Sequence, residues 1–335
     1  MKKYIKILIL FFLFISFIGC SFENKNSHIS IETEGNEPDY IKRDKEYLES
    51  IKNPSKIFYI RDVKTQELTK LEKTYPAENG IINHLAYFGQ TDPKEYEYEL
   101  LVFVDSIQHN FIVDGKQYES YPFILKNTEN IYIDLTLDVS NENANEVEYV
   151  FIQHPNFDKE KQEYLLNYFD GNLAKYLTIM TDITRPLVWK VKLTDNPIEK
   201  NKKYEEKFSS KDLLINTDFF NILNEPINEE GTSELLISAT SNEKAYLTLT
   251  NEEKEEVEIS LIAILNNKQI PFSDGDIIKT FKIDPESHLE YEFSFPEVEK
   301  DSIFQFISIP KPFQNLKNID ENKYFRLSHK IILNP

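Results

Sequence analysis

The sequence predicts an all-β protein, and three observations carry that prediction. Short runs of β-branched and aromatic residues recur along the 335-residue chain, at 96–104, 131–139, 147–152, 257–265, 289–295 and 303–309. Several alternate apolar with polar positions, and Asn, Asp, Gly and Pro separate them. Long amphipathic helices are scarce; the best candidate is 158–169, with Leu165, Leu166 and Phe169 on one side and Gly171 as its stop. The third observation is a weak internal repeat of about 155 residues.

The N-terminus reads differently from everything after it. Lys2, Lys3 and Lys6 precede an almost wholly apolar run, 7–18, which ends at Gly19-Cys20. Basic residues before a 12-residue apolar stretch and a small residue have the form of an export signal, and the run is short for a membrane span. Cys20 is the only cysteine, so no internal disulfide accounts for it. The tetrapeptide Phe17-Ile18-Gly19-Cys20 resembles the lipobox of bacterial lipoproteins, with Phe17 standing where Leu is usual. That resemblance implies cleavage between Gly19 and Cys20, attachment of diacylglycerol to the Cys20 sulfur, and usually acylation of the new amino group. Two or three acyl chains suit stable anchoring, because one chain holds a protein only reversibly. No specific domain family is recognised beyond this segment. Removal of 1–19 leaves a mature charge of −22, which an anionic leaflet holds off its surface. With 34 Lys against 4 Arg and abundant Asn and Ile, the composition fits a low-G+C Gram-positive bacterium.

Residues 20–50 are expected as the lipidated Cys and a flexible tether, with a short helix near 39–51. Two sandwiches follow, at 51–194 and 232–335, separated by a charged connection at 195–231. The repeat fixes their correspondence. Residues 99–111 lie against 260–272, each an apolar strand, a polar turn, a Gln and a closing Phe: Gln108 with Gln269 and Phe111 with Phe272. Asp114-Gly115 then answers Asp274-Gly275, Phe123 answers Phe281, and 131–137 answers 289–295 without a gap. Phe151-Ile152 with Pro155 is set against Phe306-Ile307 with Pro310, and Lys175-Tyr176 against Lys323-Tyr324. About seven short strands per copy is the scale of an immunoglobulin-like antiparallel sandwich. Without a Cys-Trp-Cys framework, the 24 Phe and 19 Tyr must supply the packing, and Trp189 is expected as a packing residue.

Local catalytic signatures are missing from the sequence. The eight glycines are never closer than nine residues, which excludes glycine-rich phosphate loops and the G-x-S-x-G elbow. Excess acid argues against nucleic acid, whose phosphates require clustered Lys and Arg. Histidines at 28, 84, 109, 154, 288 and 329 lack the two-to-five-residue offsets of metal ligands on one element. Asp114-Gly115 and Asp274-Gly275-Asp276 read as turns, since the ligand ladder of a calcium loop fails at Ile278. Glu252, Glu253, Glu255 and Glu256 read as a solvated acidic turn, with a weak divalent-cation patch as the other possibility. Cys20 has no His nearby to activate it as a nucleophile.

The expectation is therefore a protein without cofactor or catalytic residue, lipid-anchored on the outer face of the cell membrane. It binds a protein or envelope glycan through loops or a strand edge. Two other classes remain open at this stage: an envelope hydrolase or carbohydrate-active enzyme using carboxylates brought together between the sandwiches, and a structural spacer.

Overall fold

A computed structural model of the chain describes residues 38–53, 55–70, 73–126, 128–153, 187–196, 208–210, 220–226, 236–251, 254–310 and 326–335. The export signal, Cys20, the helix expected at 158–169, His28, His154, Glu252, Glu253, Lys175-Tyr176 and Lys323-Tyr324 lie outside them.

The first described element is helix α1 (Asp39–Ser50), entered through Pro38 with Asp39 in its first turn. Tyr40, Ile41, Asp44 and Leu48 fall on one helical face, and that face is buried. Ten strands follow in the first copy: β1 (Lys56–Asp62), β2 (Ile81–Gln90), β3 (Tyr96–Val104), β4 (Ile107–Gln108), β5 (Phe111–Val113), β6 (Lys116–Tyr118), β7 (Ser120–Leu125), β8 (Glu129–Asp138), β9 (Glu146–Gln153) and β10 (Leu187–Lys192). The second copy holds β11 (Phe208–Ser210), β12 (Phe220–Leu223), β13 (Ser238–Thr240), β14 (Lys244–Asn251), β15 (Val257–Leu265), β16 (Lys268–Ile270), β17 (Lys279–Ile283), β18 (Ser287–Ser294), β19 (Ser302–Pro310), β20 (Arg326–Leu327) and β21 (Ile331–Asn334).

Each copy is a two-sheet sandwich. In the first, β1-β2-β8-β5-β6 faces β10-β9-β3-β4, with β7 also paired to β3. In the second, β11-β18-β14-β12 faces β13-β21-β19-β15-β16, with β17 on β15 and β20 on β19. Strands β1, β2 and β8 occupy the A, B and E places of an immunoglobulin-like topology, and β3, β9 and β10 the C, F and G places. Strands β12, β14 and β18, then β15, β19 and β21, repeat that plan. Among the described residues, every pairing between these strands is antiparallel except that of β13 with β21. Phe88, Tyr98, Phe111, Tyr149 and Phe151 fill one core, and Leu247, Leu261, Phe281, Phe293 and Phe306 the other. Phe111 and Phe272 both close cores, as the repeat requires.

A buried amide proves the repeat at atomic detail. Gln90 ends β2, and its Nε2 donates to the carbonyls of Lys94 (3.0 Å), Leu125 (2.8 Å) and Lys126 (3.0 Å). Asn251 ends β14, and its Nδ2 donates to those of Glu255 (2.9 Å), Ile283 (3.0 Å) and Asp284 (3.0 Å). Each of these residues is the repeat partner of its counterpart. In both sandwiches one amide closes the same corner, satisfying carbonyls that would otherwise be buried without donors.

Three expectations need correction. The Phe151/Phe306 match is displaced by two residues. Leu101 pairs with Val150 where Ile262 pairs with Ile307, so Tyr149, not Phe151, answers Phe306, and Ile152, not His154, answers Ile309. A two-residue slip keeps every side chain on its own face, so the apolar pattern cannot detect it. The tether expected across 20–50 does not extend through its last twelve residues, because α1 docks on the outer face of the β1-β2-β8 sheet. Its apolar side meets Tyr59, Tyr87 and Tyr132. Asp44 Oδ1 pairs with Arg61 Nη2 at 3.0 Å, and the Tyr132 hydroxyl donates to Asp44 Oδ2 at 3.1 Å. Gly89 permits this approach: a Cβ there would stand 2.7 Å from Tyr87 Oη and 3.2 Å from Leu48 Cδ1. Finally, part of the connection at 195–231 belongs to the second sandwich, since β11 pairs with β18 and β12 with β14. Short strands flanked by charge carry too little periodicity to show this beforehand.

Replacing Gln90 or Asn251 with Ala should cost each sandwich about 1–3 kcal/mol, the penalty for orphaned buried carbonyls. Phe111→Ala and Phe272→Ala should each cost about 3–5 kcal/mol. Urea denaturation measures both; an effect confined to one member of either pair would contradict their structural equivalence.

Candidate functional site: the junction of the two sandwiches

Strands β3 and β9 are buried at nearly every position, and so are β15 and β19. Both faces of these sheets are therefore covered. Their inner faces build the cores; their outer faces meet each other. Leu101, Phe103, Val150 and Ile152 pack on Ile262, Ile264, Ile307, Ile309 and Leu327. The signal for this contact stands in the sequence as unbroken apolar runs, Leu100 to Val104 and Leu261 to Leu265, where a sheet with one wet face would alternate.

At one edge the contact is closed by two glutamines. Gln108 N donates to Gln269 Oε1 at 2.6 Å, and Gln269 N donates to Gln108 Oε1 at 2.6 Å. Gln108 Nε2 donates to the Asn267 carbonyl (3.2 Å) and Gln269 Nε2 to the Ser106 carbonyl (3.3 Å). Gln108 Nε2 also reaches the Glu119 carbonyl and Gln269 Nε2 the Ile277 carbonyl, both at 3.1 Å. Ser106 and Asn267 are repeat partners, as are Glu119 and Ile277, so the six bonds are three pairs related by a pseudo-two-fold axis.

Charged groups flank the aliphatic patch, contributed chiefly by the first sandwich. Glu146, Glu148 and Lys190 are buried on the face of β9 and β10 that looks toward the second sandwich. Lys190 Nζ donates to the Pro310 carbonyl at 2.8 Å and lies 3.8 Å from Glu146 Oε1. Ser106 N donates to Glu148 Oε2 at 3.4 Å, and Asp105 accepts from the backbone of Asn145 and Glu146. Burial, reinforced by Glu146 beside it, raises Glu148 well above the usual carboxylate range. Elsewhere in the junction, Glu99 accepts from Ser120 Oγ and from Asn267 Nδ2 of the second sandwich. Burial raises Glu99 and lowers Lys330 to about 7, the latter opposed by Glu99 and Glu97.

The junction brings carboxyl groups together between the sandwiches, but under an aliphatic seal. A glycosidase-like pair needs access to substrate within an aromatic-lined cleft. Glu146 and Glu148 are 4% and 0% exposed, and the lining is Leu, Ile and Val with a single Phe.

The other residues singled out in the sequence fill structural positions. Asp114 and Gly115 take positive φ (51° and 71°) and join β5 to β6 as a two-residue hairpin. Asp274 and Asp276 hold the buried Lys279 ammonium, Asp276 at 2.7 Å. Glu256 and Glu258 share Lys282 at 3.0 and 3.2 Å. His84 Nδ1 and Tyr149 Oη are hydrogen-bonded at 2.6 Å, and His329 Nε2 donates to the Leu236 carbonyl at 2.6 Å. His109 bonds the Asn110 carbonyl and lies 3.3 Å from Glu142. Trp189 packs on Phe58 and donates to Thr69 Oγ1 at 2.7 Å. Among the described residues no group of three or more His, Cys, Asp or Glu is placed to hold a metal ion. None of their helices is long and apolar enough to cross a membrane.

No family model matches the chain, and no curated protein matches it. Among solved structures it is similar to red sea bream transglutaminase, at 7% identity and a TM-score of 0.22, over 90% of this chain and 34% of that one. The chain thus spans about a third of that enzyme's length. It is also similar to the Salmonella enterica SafA pilin in complex with the SafB chaperone (9% identity, TM-score 0.22, 85% of this chain and 99% of that one). A third is the E. coli chaperone DraB (9% identity, TM-score 0.19, 76% and 90%). At these TM-scores the likenesses carry no conclusion about activity.

Burial holds His84 and His329 at about 4, against about 6.5 in an unfolded chain. Between those values the unfolded chain binds more protons, so stability falls as pH drops from 6.5 toward 4. His329→Gln, whose Nε2 can replace the donor to the Leu236 carbonyl, should shrink the loss measured by urea denaturation between pH 7 and pH 5. For Glu148 the sign reverses: the fold holds a proton above pH 4.5 that the unfolded chain has released, so stability falls as pH rises through its raised value. Glu148→Gln should flatten that fall above pH 4.5; an unchanged slope would contradict the raised carboxyl.

Proposed function

We propose that this chain is a lipid-anchored, non-enzymatic binding protein on the outer face of the cell membrane, with a two-sandwich body that presents loops and strand edges to a protein or envelope-glycan partner. The observation that carries this reading is the sealed junction. The carboxyl groups between the sandwiches are buried under the aliphatic seal, and what stands open is surface. Ile107 and Ile277, two of the large apolar side chains exposed in the structure, flank the glutamine pair and offer an apolar contact at its rim.

The anchor follows from the sequence of the first twenty residues, and the docked helix fits it. Residues 21–38 separate Cys20 from α1 and can span at most about 60 Å. Beyond that length α1 ties the tether to the first sandwich through a buried ion pair and a cluster of tyrosines. The mature charge of −22 keeps the body clear of anionic lipid and leaves its edges accessible.

Fractionation of cells carrying Cys20→Ala tests the anchor. The unaltered protein should sediment with membranes at mature size with the added mass of acyl chains, and the variant should be released or persist as precursor. Retention of the variant at mature size would overturn the anchor. Capture from intact cells with residues 38–335 tests binding: Ile107→Asp with Ile277→Asp should reduce recovery of a partner, and equal recovery would move the contact elsewhere.

A further inference from the structure

The bonds between Gln108 and Gln269 obey a stricter rule than tandem domains require. Two domains strung on one chain can touch through any two patches. Here each sandwich uses the same patch. Each bond that Gln108 makes to the second sandwich has a counterpart from Gln269 running back, at matching distances and between repeat partners. The aliphatic contact follows the same symmetry, with Leu101 and Ile262, Phe103 and Ile264, Val150 and Ile307, and Ile152 and Ile309 in equivalent places. An interface in which the same surface serves both partners is isologous, the form taken by two-fold homodimers. This junction is such an interface with its two partners joined in one polypeptide.

Nothing in that geometry depends on the two sandwiches belonging to one chain. We propose that the junction face is an interaction surface for a second copy of this chain, the first sandwich of one molecule docking on the second sandwich of another through the Gln108–Gln269 bonds and the aliphatic patch, reciprocally in both directions. Residues 193–207 lie between β10 and β11, the first strand of the second sandwich, and that length reaches at most about 50 Å.

The charged flanks select which halves meet. Glu99, Glu146 and Glu148 belong to the first sandwich; register places Ser260, Ile303 and Gln305 at the corresponding points of the second. Joining two first sandwiches would double the carboxyl groups under the seal and put Ser106 where Asn267 meets Glu99. Joining two second sandwiches would remove the Lys190 bond to Pro310. The occupant of each face is therefore the unlike sandwich, and the assembly is an exchanged dimer with two junctions identical to the one within a single chain. The connection holds the two faces of one molecule at an effective concentration on the order of millimolar, so exchange grows with protein concentration during folding.

The test uses the mature chain with Cys20→Ser, which removes its only natural thiol. One preparation carries Gln108→Cys and another Gln269→Cys. Unfolded, mixed, refolded together and oxidised, they should give a two-chain disulfide product rising about tenfold for a tenfold rise in concentration below the effective value. Each variant refolded alone should give little. Absence of the mixed product, or equal amounts of the 108–108 product, would overturn the proposal. Because either cysteine disturbs the glutamine pair, the chain with Cys20→Ser alone is also refolded at rising concentration and weighed by light scattering. It should show a two-chain species that Gln108→Ala with Gln269→Ala depletes; a single-chain mass throughout would overturn the proposal as well.

Discussion

The structure depends on one constraint: the sheets holding β3 and β9, and β15 and β19, are apolar on both faces. A sandwich hides one face of each sheet and leaves the other to water. Nine aliphatic and aromatic side chains, from Leu101 to Leu327, would stand exposed on such faces were the two sandwiches apart. Burying a side chain of this kind is worth about 1.5–3 kcal/mol relative to water, so the joined state is favoured by far more than any single hydrogen bond at the rim contributes. The glutamine pair fixes the position of the contact. The aliphatic patch supplies its strength.

Outside the junction, the two copies have diverged where their surroundings differ. The outer face of the first sandwich carries Tyr87 and Tyr132, and their counterparts by register are Thr248 and Glu290. Aromatic residues on a sheet face require a cover, and α1 supplies it, with Asp44 satisfying Arg61 and the Tyr132 hydroxyl. By contrast, Gln90 and Asn251 are retained as amides because the corner they close exists in both sandwiches and exposes the same three carbonyls.

Most of the architecture was legible in the sequence, for a physical reason. Strands announce themselves through side-chain type and period, and the repeat survives at positions where geometry tolerates little: Gln108 and Gln269 at the axis, Phe111 and Phe272 closing the cores. The two-residue displacement at β9 and β19 was hidden because alternation is blind to even slips. Docking of α1 was hidden because the residues that make it, Asp44 and Arg61, read as ordinary surface charges until their partners are known. The site was harder still. Glu146 and Glu148 look like any pair on an acidic chain, and only folding shows that β10 brings Lys190 beside them under an aliphatic roof.

Those buried charges are better understood as selecting the partner than as strengthening the contact. Removing a carboxylate and an ammonium from water costs several kcal/mol each, and their attraction at 3.8 Å returns only part of it. Burial disfavours the ionised form of Glu148, which eases that cost, and Lys190 offsets part of it by donating to a backbone carbonyl of the other sandwich. A wholly aliphatic face would hold as firmly while allowing like sandwiches to meet. With carboxyl groups on one face and Ser260, Ile303 and Gln305 on the other, like pairing carries an uncompensated penalty and unlike pairing does not. Duplication supplied a surface that fits itself; the charges that distinguish its halves make the fit directional.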